Sequence, residues 1–107
     1  MATGDITQFG ARRAFPVWNY YLVDGDETPD GLNGPCIVSA IYCITAGTID
    51  GVYDASSVAV GTNLAPAVAL TARQRIDFAE GTGVRFSSGV YVTITGGTFL
   101  VLAASGV

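Results

Sequence analysis

The chain contains no histidine and no lysine, and it has few charged residues of any kind. Charged residues make up 13% of its 107 residues, which is about half the usual share of a soluble domain. The basic side chains are five arginines, and with nine carboxylates they give a net charge of −4. This balance argues against nucleic acid as the main partner, because phosphate binding needs a basic face.

The same absences argue against an enzyme. Without histidine or lysine, a serine or cysteine nucleophile would lack its usual activating base. A glycoside hydrolase with paired carboxylates is still possible, but the spacing of the acidic residues singles out no pair. The candidate carboxylates are Asp50, Asp54, Asp77 and Glu80. We therefore predict no catalytic residues and no cofactor.

Long hydrophobic runs are absent as well, although half of the residues are hydrophobic and the mean hydropathy is +0.44. The longest uninterrupted apolar run, 99–104, is far shorter than the ~20 residues of a membrane helix. The first residues also lack the apolar segment of a secretory signal. We expect no membrane partner and a cytosolic site of synthesis. The surplus apolar surface then favours contact with other protein.

The two cysteines lie in one run, CIVSAIYCIT, that is typical of a strand. Seven residues at ~3.3 Å each would separate Cys36 and Cys43 by roughly 23 Å and point them to opposite faces. A disulfide requires Cα atoms within about 7 Å of each other. The spacing therefore predicts two reduced, buried thiols.

Short runs of valine, isoleucine, threonine and aromatic residues, separated by glycine, asparagine, aspartate and proline, predict an all-β chain. No window shows a sustained apolar period near 3.6, so we expect no long helix. Strands are predicted at 17–23, 36–45, 48–53, 57–60, 67–70, 73–78, 84–86, 89–95 and 98–104. Many short strands at this spacing favour an antiparallel β-sandwich of jelly-roll type over residues 17–107. Gly96-Gly97 is predicted as a primed turn with positive φ angles.

The last strand is apolar on both faces. Phe99 and Val101 alternate with Leu100 and Leu102, and alternate residues of a strand point to opposite faces. One apolar face can pack in the core of the domain, so the other face must be covered by something else. We interpret residues 83–104 as a three-strand edge whose outward face, with Leu100 and Leu102, meets a neighbouring protein.

Residues 1–16 differ from the rest, since they are polar, rich in glycine and end in an aromatic entry. We interpret them as an extended N-terminal arm that lies on a neighbouring subunit. Arg12, Arg13, Phe15 and Trp18 are the predicted interface residues of this region. The alternative is a frayed terminus, which is common in isolated domains.

The acidic loop DGDETPDGLNG, residues 24–34, is the candidate metal site. Oxygen-bearing side chains fall at alternate positions, as in a calcium loop: Asp24, Asp26, Thr28 and Asp30. Pro29 and Pro35, however, occupy the places where such a loop needs its glycine and its bidentate glutamate. The composition favours a solvated turn, and we predict no metal.

The segments GPCIVSAIYCITAG, TIDGVYDASS and RIDFAEGTGVRFSSGVYVTITGG together resemble small all-β virion proteins of tailed bacteriophages. The matching residues are Tyr53-Asp54, Asp77-Phe78 and the hairpin pattern at 84–92, and the resemblance spans about 34–104. It implies a β-sandwich subunit of a virion, either a capsid decoration (cement) protein or part of a head or tail fibre. It implies no catalytic residues, and residues 1–33 lie outside the pattern.

We therefore expect a virion structural protein, assembled in the host cytoplasm, that decorates the outer capsid surface. Its expected partners are the major capsid protein or another virion protein and further copies of itself, with a trimer favoured. Head fibre, spike and tail locations are alternatives. A carbohydrate-binding β-sandwich is another, with Trp18, Tyr20, Tyr21 or Tyr91 as a stacking platform.

Overall fold

The structure is a computed structural model that describes residues 17–65 and 67–106. These residues form eight β-strands. The predicted arm, 1–16, lies outside these residues. The strands are β1 Asn19–Val23, β2 Cys36–Thr45, β3 Gly47–Asp54, β4 Val68–Leu70, β5 Arg75–Asp77, β6 Val84–Phe86, β7 Val90–Thr95 and β8 Thr98–Ser105. A short 3-10 turn covers Ala79–Gly81. The all-β prediction is confirmed.

The strands form two sheets, and every strand pair is antiparallel. The first sheet has the order β1-β8-β2-β5, and β6 also pairs with β2, next to β5. The second sheet has the order β4-β3-β7. An isolated bridge between Glu27 and Val92 continues the second sheet beyond β7.

One hydrophobic core joins the two sheets. The first sheet contributes Ile41, Phe99 and Val101, and the second contributes Val52 and Val92, all with no exposed surface. These side chains occur at alternate positions because successive residues of a strand point to opposite faces. Full burial of each side chain contributes about 1.5–3 kcal/mol to folding.

A β-bulge in β2 corrects the prediction for the cysteines. The pairing of β2 with β8 shifts by one residue between Val38 and Ala40. The extra residue moves the in-and-out alternation of β2 by one position, so that two residues an odd number of positions apart can share a face. Cys36 and Cys43 therefore both point into the core, not to opposite faces. Both are free and buried, as predicted.

The strand predicted at 57–60 is wrong. Ser57 has a positive φ of 69°, and its backbone N–H donates to the Thr28 side-chain oxygen at 2.9 Å instead of to a neighbouring strand. Val58 and Val60 are exposed. The valines have β propensity, but in this stretch no partner strand uses it.

The predicted three-strand edge is also wrong. β6 pairs with β2, β7 belongs to the second sheet, and β8 lies between β1 and β2 in the first sheet. Gly96 and Gly97 do have the predicted positive φ angles, 68° and 82°. They form a corner at which the chain crosses from the second sheet to the first.

This corner contacts a second crossing, between β2 and β3. A Cβ atom on Gly97 would lie 2.6 Å from the carbonyl oxygen of Thr45 and 2.8 Å from the Cα of Gly47. A Cβ atom on Gly47 would clash with the carbonyl group of Gly96. The two corners therefore contact each other through backbone atoms, which only glycine permits.

Comparing Gly97→Ala with Gly96→Ala distinguishes the cost of disturbing this contact from the cost of backbone strain. Both glycines have positive φ, but a Cβ on Gly96 meets nothing within 4 Å. We expect Gly96→Ala to lower the free energy of unfolding by about 1–2 kcal/mol, the cost of a left-handed backbone for alanine. Gly97→Ala adds the clash and should cost about 2–5 kcal/mol. Urea denaturation of both variants measures the difference. Equal losses would contradict the packed corners.

Candidate functional site

Large apolar side chains cover the side of the first sheet that points away from the core. Tyr20 lies opposite Leu102, Leu22 lies opposite Leu100, and Leu100 also lies opposite Tyr42 on β2. Strand partners share a face, so these side chains lie together. We call this surface the outer apolar face; it comprises Trp18, Tyr20, Leu22, Tyr42, Ile44, Leu100 and Leu102.

Two tyrosine rings meet above β8. Tyr20 on β1 and Tyr42 on β2 pack edge to face, with their ring centroids 5.9 Å apart and their planes at 72°. Since β8 lies between β1 and β2, the rings shield Leu100 and Leu102, which are half-buried. The tyrosines themselves reach further outward, and Tyr20 remains 60% exposed.

A charged border limits this face at β5. The Arg75 Nε atom lies 3.2 Å from an oxygen of the Asp77 carboxylate, and the guanidinium lies 5.8 Å from the centre of the Tyr42 ring. The carboxylate of Asp77, with a smaller contribution from Tyr42, raises the pKa of Arg75. The border is an ion pair, so it adds no net charge beside the apolar side chains.

The outer apolar face is typical of a protein-docking surface. Trp18, Leu22 and Ile44 are exposed as well as Tyr20, and soluble monomers rarely expose contiguous apolar patches of this kind. Tyrosine and tryptophan are also the side chains most enriched at binding hot spots. The arrangement can bury apolar area against a partner, and it offers no catalytic group.

Three of the predicted interface residues come together on this face. Leu100 and Leu102 lie at its centre, and the Trp18 ring borders it near Gly83 and Ile37. The remaining three, Arg12, Arg13 and Phe15, lie outside the described residues. The prediction missed four members of the face, Tyr20, Leu22, Tyr42 and Ile44, since only the sheet order brings β1 and β2 to either side of β8.

The acidic loop uses its side-chain oxygens within the fold. Asp26 accepts the backbone N–H of Ile94 at 2.8 Å, and Glu27 accepts that of Asp24 at 2.8 Å. Within residues 17–65 and 67–106, no three histidine, cysteine or acidic side chains are grouped so that they could hold a metal ion. The loop is thereby fastened to β7, along the outer edge of the second sheet.

Three of the four carboxylates considered for glycoside cleavage, all but Glu80, also have structural partners. Asp54 accepts the backbone N–H groups of Ser87 and Ser88 at 3.1 and 2.8 Å. Asp50 accepts the hydroxyl of Thr95 at 2.6 Å. Asp77 belongs to the ion pair with Arg75. These three side chains cap turns and join strands.

Comparisons of this chain with protein-family models, with curated proteins and with solved structures found no match. In the part of the chain that the structure describes, no helix has the length and apolar character needed to cross a membrane.

Both cysteine thiols have a pKa above its ordinary value. Burial raises the pKa of Cys36 to about 11, with a further increase from the charge of Asp54 and an opposing effect of Arg85. Burial raises the pKa of Cys43 as well, and its thiol donates to the Thr45 carbonyl oxygen at 3.2 Å. Neither thiol is a candidate nucleophile, because the thiolate is the reactive form.

We expect both cysteines to resist Ellman's reagent at pH 8 in the folded protein and to react fully in denaturant. For Cys36 the ionised fraction alone should slow the reaction about 100-fold relative to a thiol of pKa 9.0. The raised pKa also stabilises the fold below pH 9, and this contribution is lost as the pH rises towards 11. A native thiol reacting as fast as the denatured chain would contradict the burial.

Proposed function

We propose that this chain is a bacteriophage virion structural protein: a capsid decoration (cement) protein that binds the outer capsid surface as a small oligomer and stabilises the shell. The observation that carries the proposal is the outer apolar face. It offers a partner exposed aromatic and aliphatic side chains at β1 and β2, on either side of the half-buried leucines of β8, bordered by a neutral ion pair. Under this proposal the chain is not an enzyme and needs no cofactor.

The strand pairing supports a jelly-roll sandwich as the framework. The first strand pairs with the last, β1 with β8, and the next segment pairs with the last but one through the bridge from Glu27 to β7. Further inward, β2 pairs with β5 and β6, and β3 pairs with β4. Such nested pairing is the pattern of a jelly roll, an architecture that viral capsid domains and lectins use. Fold alone does not assign function, so the proposal depends on the exposed face.

The physical role of such a subunit is to add buried area across joints of the shell. Each copy that binds the assembled shell and not its separated parts stabilises the shell by mass action. Tyr20, Leu22 and Trp18 would anchor the contact with the major capsid protein or another virion protein, because their apolar surface is still exposed to water. In an oligomer, a trimer being favoured, the arm of residues 1–16 would add contacts with a neighbouring subunit. A head fibre, spike or tail location would use the same face.

A carbohydrate-binding module is the second candidate, because two tyrosines line a pocket together with carboxylates. The pocket has a volume of about 380 Å³ and is lined by Tyr20, Tyr21, Leu22, Asp24, Glu27 and Asp30. Sugar hydroxyls pair with carboxylates, and a sugar ring can stack on an exposed aromatic ring. Binding on a glycan array that Tyr20→Ala abolishes would favour this candidate over decoration.

Capsid binding tests the proposal, and Leu22→Asp provides its sharpest variant. Shells of the phage that encodes the chain, prepared without it, are mixed with purified protein and sedimented. We expect the wild-type chain to sediment with the shells. Leu22→Asp should reduce binding at least about 100-fold, because burying an unpaired carboxylate costs several kcal/mol.

Val58→Asp is the matched control. Val58 is 52% exposed and Leu22 is 53% exposed, but Val58 lies in the loop between β3 and β4 of the second sheet and is not a member of the outer apolar face. We expect this variant to bind shells like the wild-type chain. A wild-type chain that stays in solution as a monomer, with no affinity for the shells, would refute the decoration role.

A further inference from the structure

The edge of the first sheet at β1 carries an acidic pocket. Its lining combines tyrosine rings with the carboxylates of Asp24, Glu27 and Asp30. Among residues 17–65 and 67–106 the arginines are Arg73, Arg75 and Arg85, and none of them lines the pocket. The pocket therefore combines negative charge with apolar surface, a combination that suits a guanidinium group next to an aromatic side chain.

The backbone of β1 is open on the side of this pocket. β1 pairs with β8 on one side, and within the described residues no strand pairs with its other side. Outward N–H and C=O groups of an edge strand can accept an extended segment as an added strand. Lysine, a common guard of such edges, is absent from the whole chain. An extended, cationic and aromatic segment would satisfy the backbone, the carboxylates and the outer apolar face together.

The chain itself contains such a segment at 9–15, FGARRAF. It carries two of the five arginines, an aromatic residue at each end and no acidic residue. Adjacent residues of an extended chain point to opposite sides. One of Arg12 and Arg13 can therefore enter the pocket while the other faces away. Phe15 would lie against the outer apolar face.

The residues between this segment and β1 favour a segment from a second copy over one of the same chain. Even fully extended, Arg13 lies at most about 14 Å from Val17, because four residues span no more. Asp24 lies seven residues beyond Val17, about 23 Å away along an extended strand. To reach it, a segment of the same chain would have to reverse direction within 15–18, FPVW. A two-residue hairpin turn needs positive φ angles, which proline cannot adopt and which phenylalanine and valine rarely adopt. A segment from a second copy has no such limit.

We propose that residues 9–15 of a second copy of this chain dock along the open edge of β1. Arg12 or Arg13 enters the pocket formed with Asp24, Glu27 and Asp30, and Phe15 contacts the adjacent outer apolar face. This inference rests on the proposed role as an oligomeric virion subunit and names the contact that holds the oligomer together. Its test uses purified full-length protein without capsid shells.

Cysteine cross-linking between two singly substituted chains tests the docking. Ala14→Cys and Gly25→Cys keep every arginine and every carboxylate in place. Gly25 lies beside the pocket, and a Cβ there meets nothing within 4 Å. Cys36 and Cys43 are buried and should not contribute. The two variants are mixed, treated with diamide and separated by non-reducing electrophoresis.

The control mixture combines Ala14→Cys with Ala69→Cys. Ala69 is exposed on β4, which lies at the opposite edge of the second sheet from Glu27. We expect the Gly25→Cys mixture to form a mixed disulfide dimer with a yield about tenfold or more above this control, because docking raises the effective concentration of the two thiols. A yield equal to the control would overturn the proposal.

The doubly substituted chain, Ala14→Cys with Gly25→Cys, tests the choice of a second copy. Docking between copies gives disulfide-linked dimers and larger species, whereas an internal disulfide in a monomer would show that the segment folds back on its own chain and would overturn the proposal. Charge reversal provides an independent measurement. Arg12→Glu with Arg13→Glu should lower the mass measured by light scattering to that of a monomer, and adding Asp24→Arg with Asp30→Arg should restore the oligomer. Failure of that restoration would also count against the docking.

The capsid assay is separate from these measurements. Cross-linking at the control level together with normal shell binding refutes this contact and not the decoration role. Strong cross-linking by a chain that does not bind shells refutes the decoration role and not this contact.

Discussion

The contact between two glycine corners fixes the relation of the two sheets. The chain crosses between the sheets at Gly47 and again at Gly97, and the two crossings touch through backbone atoms. On one side of this contact Thr45 pairs with Thr98 in the first sheet, and on the other Thr48 pairs with Thr95 in the second. The strand pairing of both sheets is therefore set at this one contact.

This register decides what the protein presents to its surroundings. From Thr98 onward, alternation places Phe99 and Val101 in the core and leaves Leu100 on the outer face. A slip of one residue would exchange the two sets, so that the leucines would enter the core and phenylalanine would lie outside. The outer apolar face is thus a consequence of backbone packing at a site that contains no large side chain.

Local patterns in the sequence predicted a large part of this structure. Runs of strand-forming residues identified the strands, apart from the wrong one at 57–60. The double apolar character of β8 separated Phe99 and Val101 from the outward Leu100 and Leu102. Two kinds of error had long-range causes. The bulge near Ser39, which turns Cys43 inward, and the assignment of β7 and β8 to different sheets depend on pairing with distant strands. Tyr42 and Ile44 could not be joined to the site for the same reason, because no local signal says that β2 lies beside β8.

The Tyr20–Tyr42 pair has a consequence for the free subunit. Each ring places its apolar body over the leucines of β8, but each also carries a hydroxyl that water can solvate. The face is consequently apolar over most of its area, with two polar hydroxyl groups among the apolar side chains. Under the role proposed above, a partner that covers this face would have to replace the water at the two hydroxyls. The pair would then favour a partner whose own polar groups meet the two hydroxyls, because a hydroxyl buried without a hydrogen bond is costly.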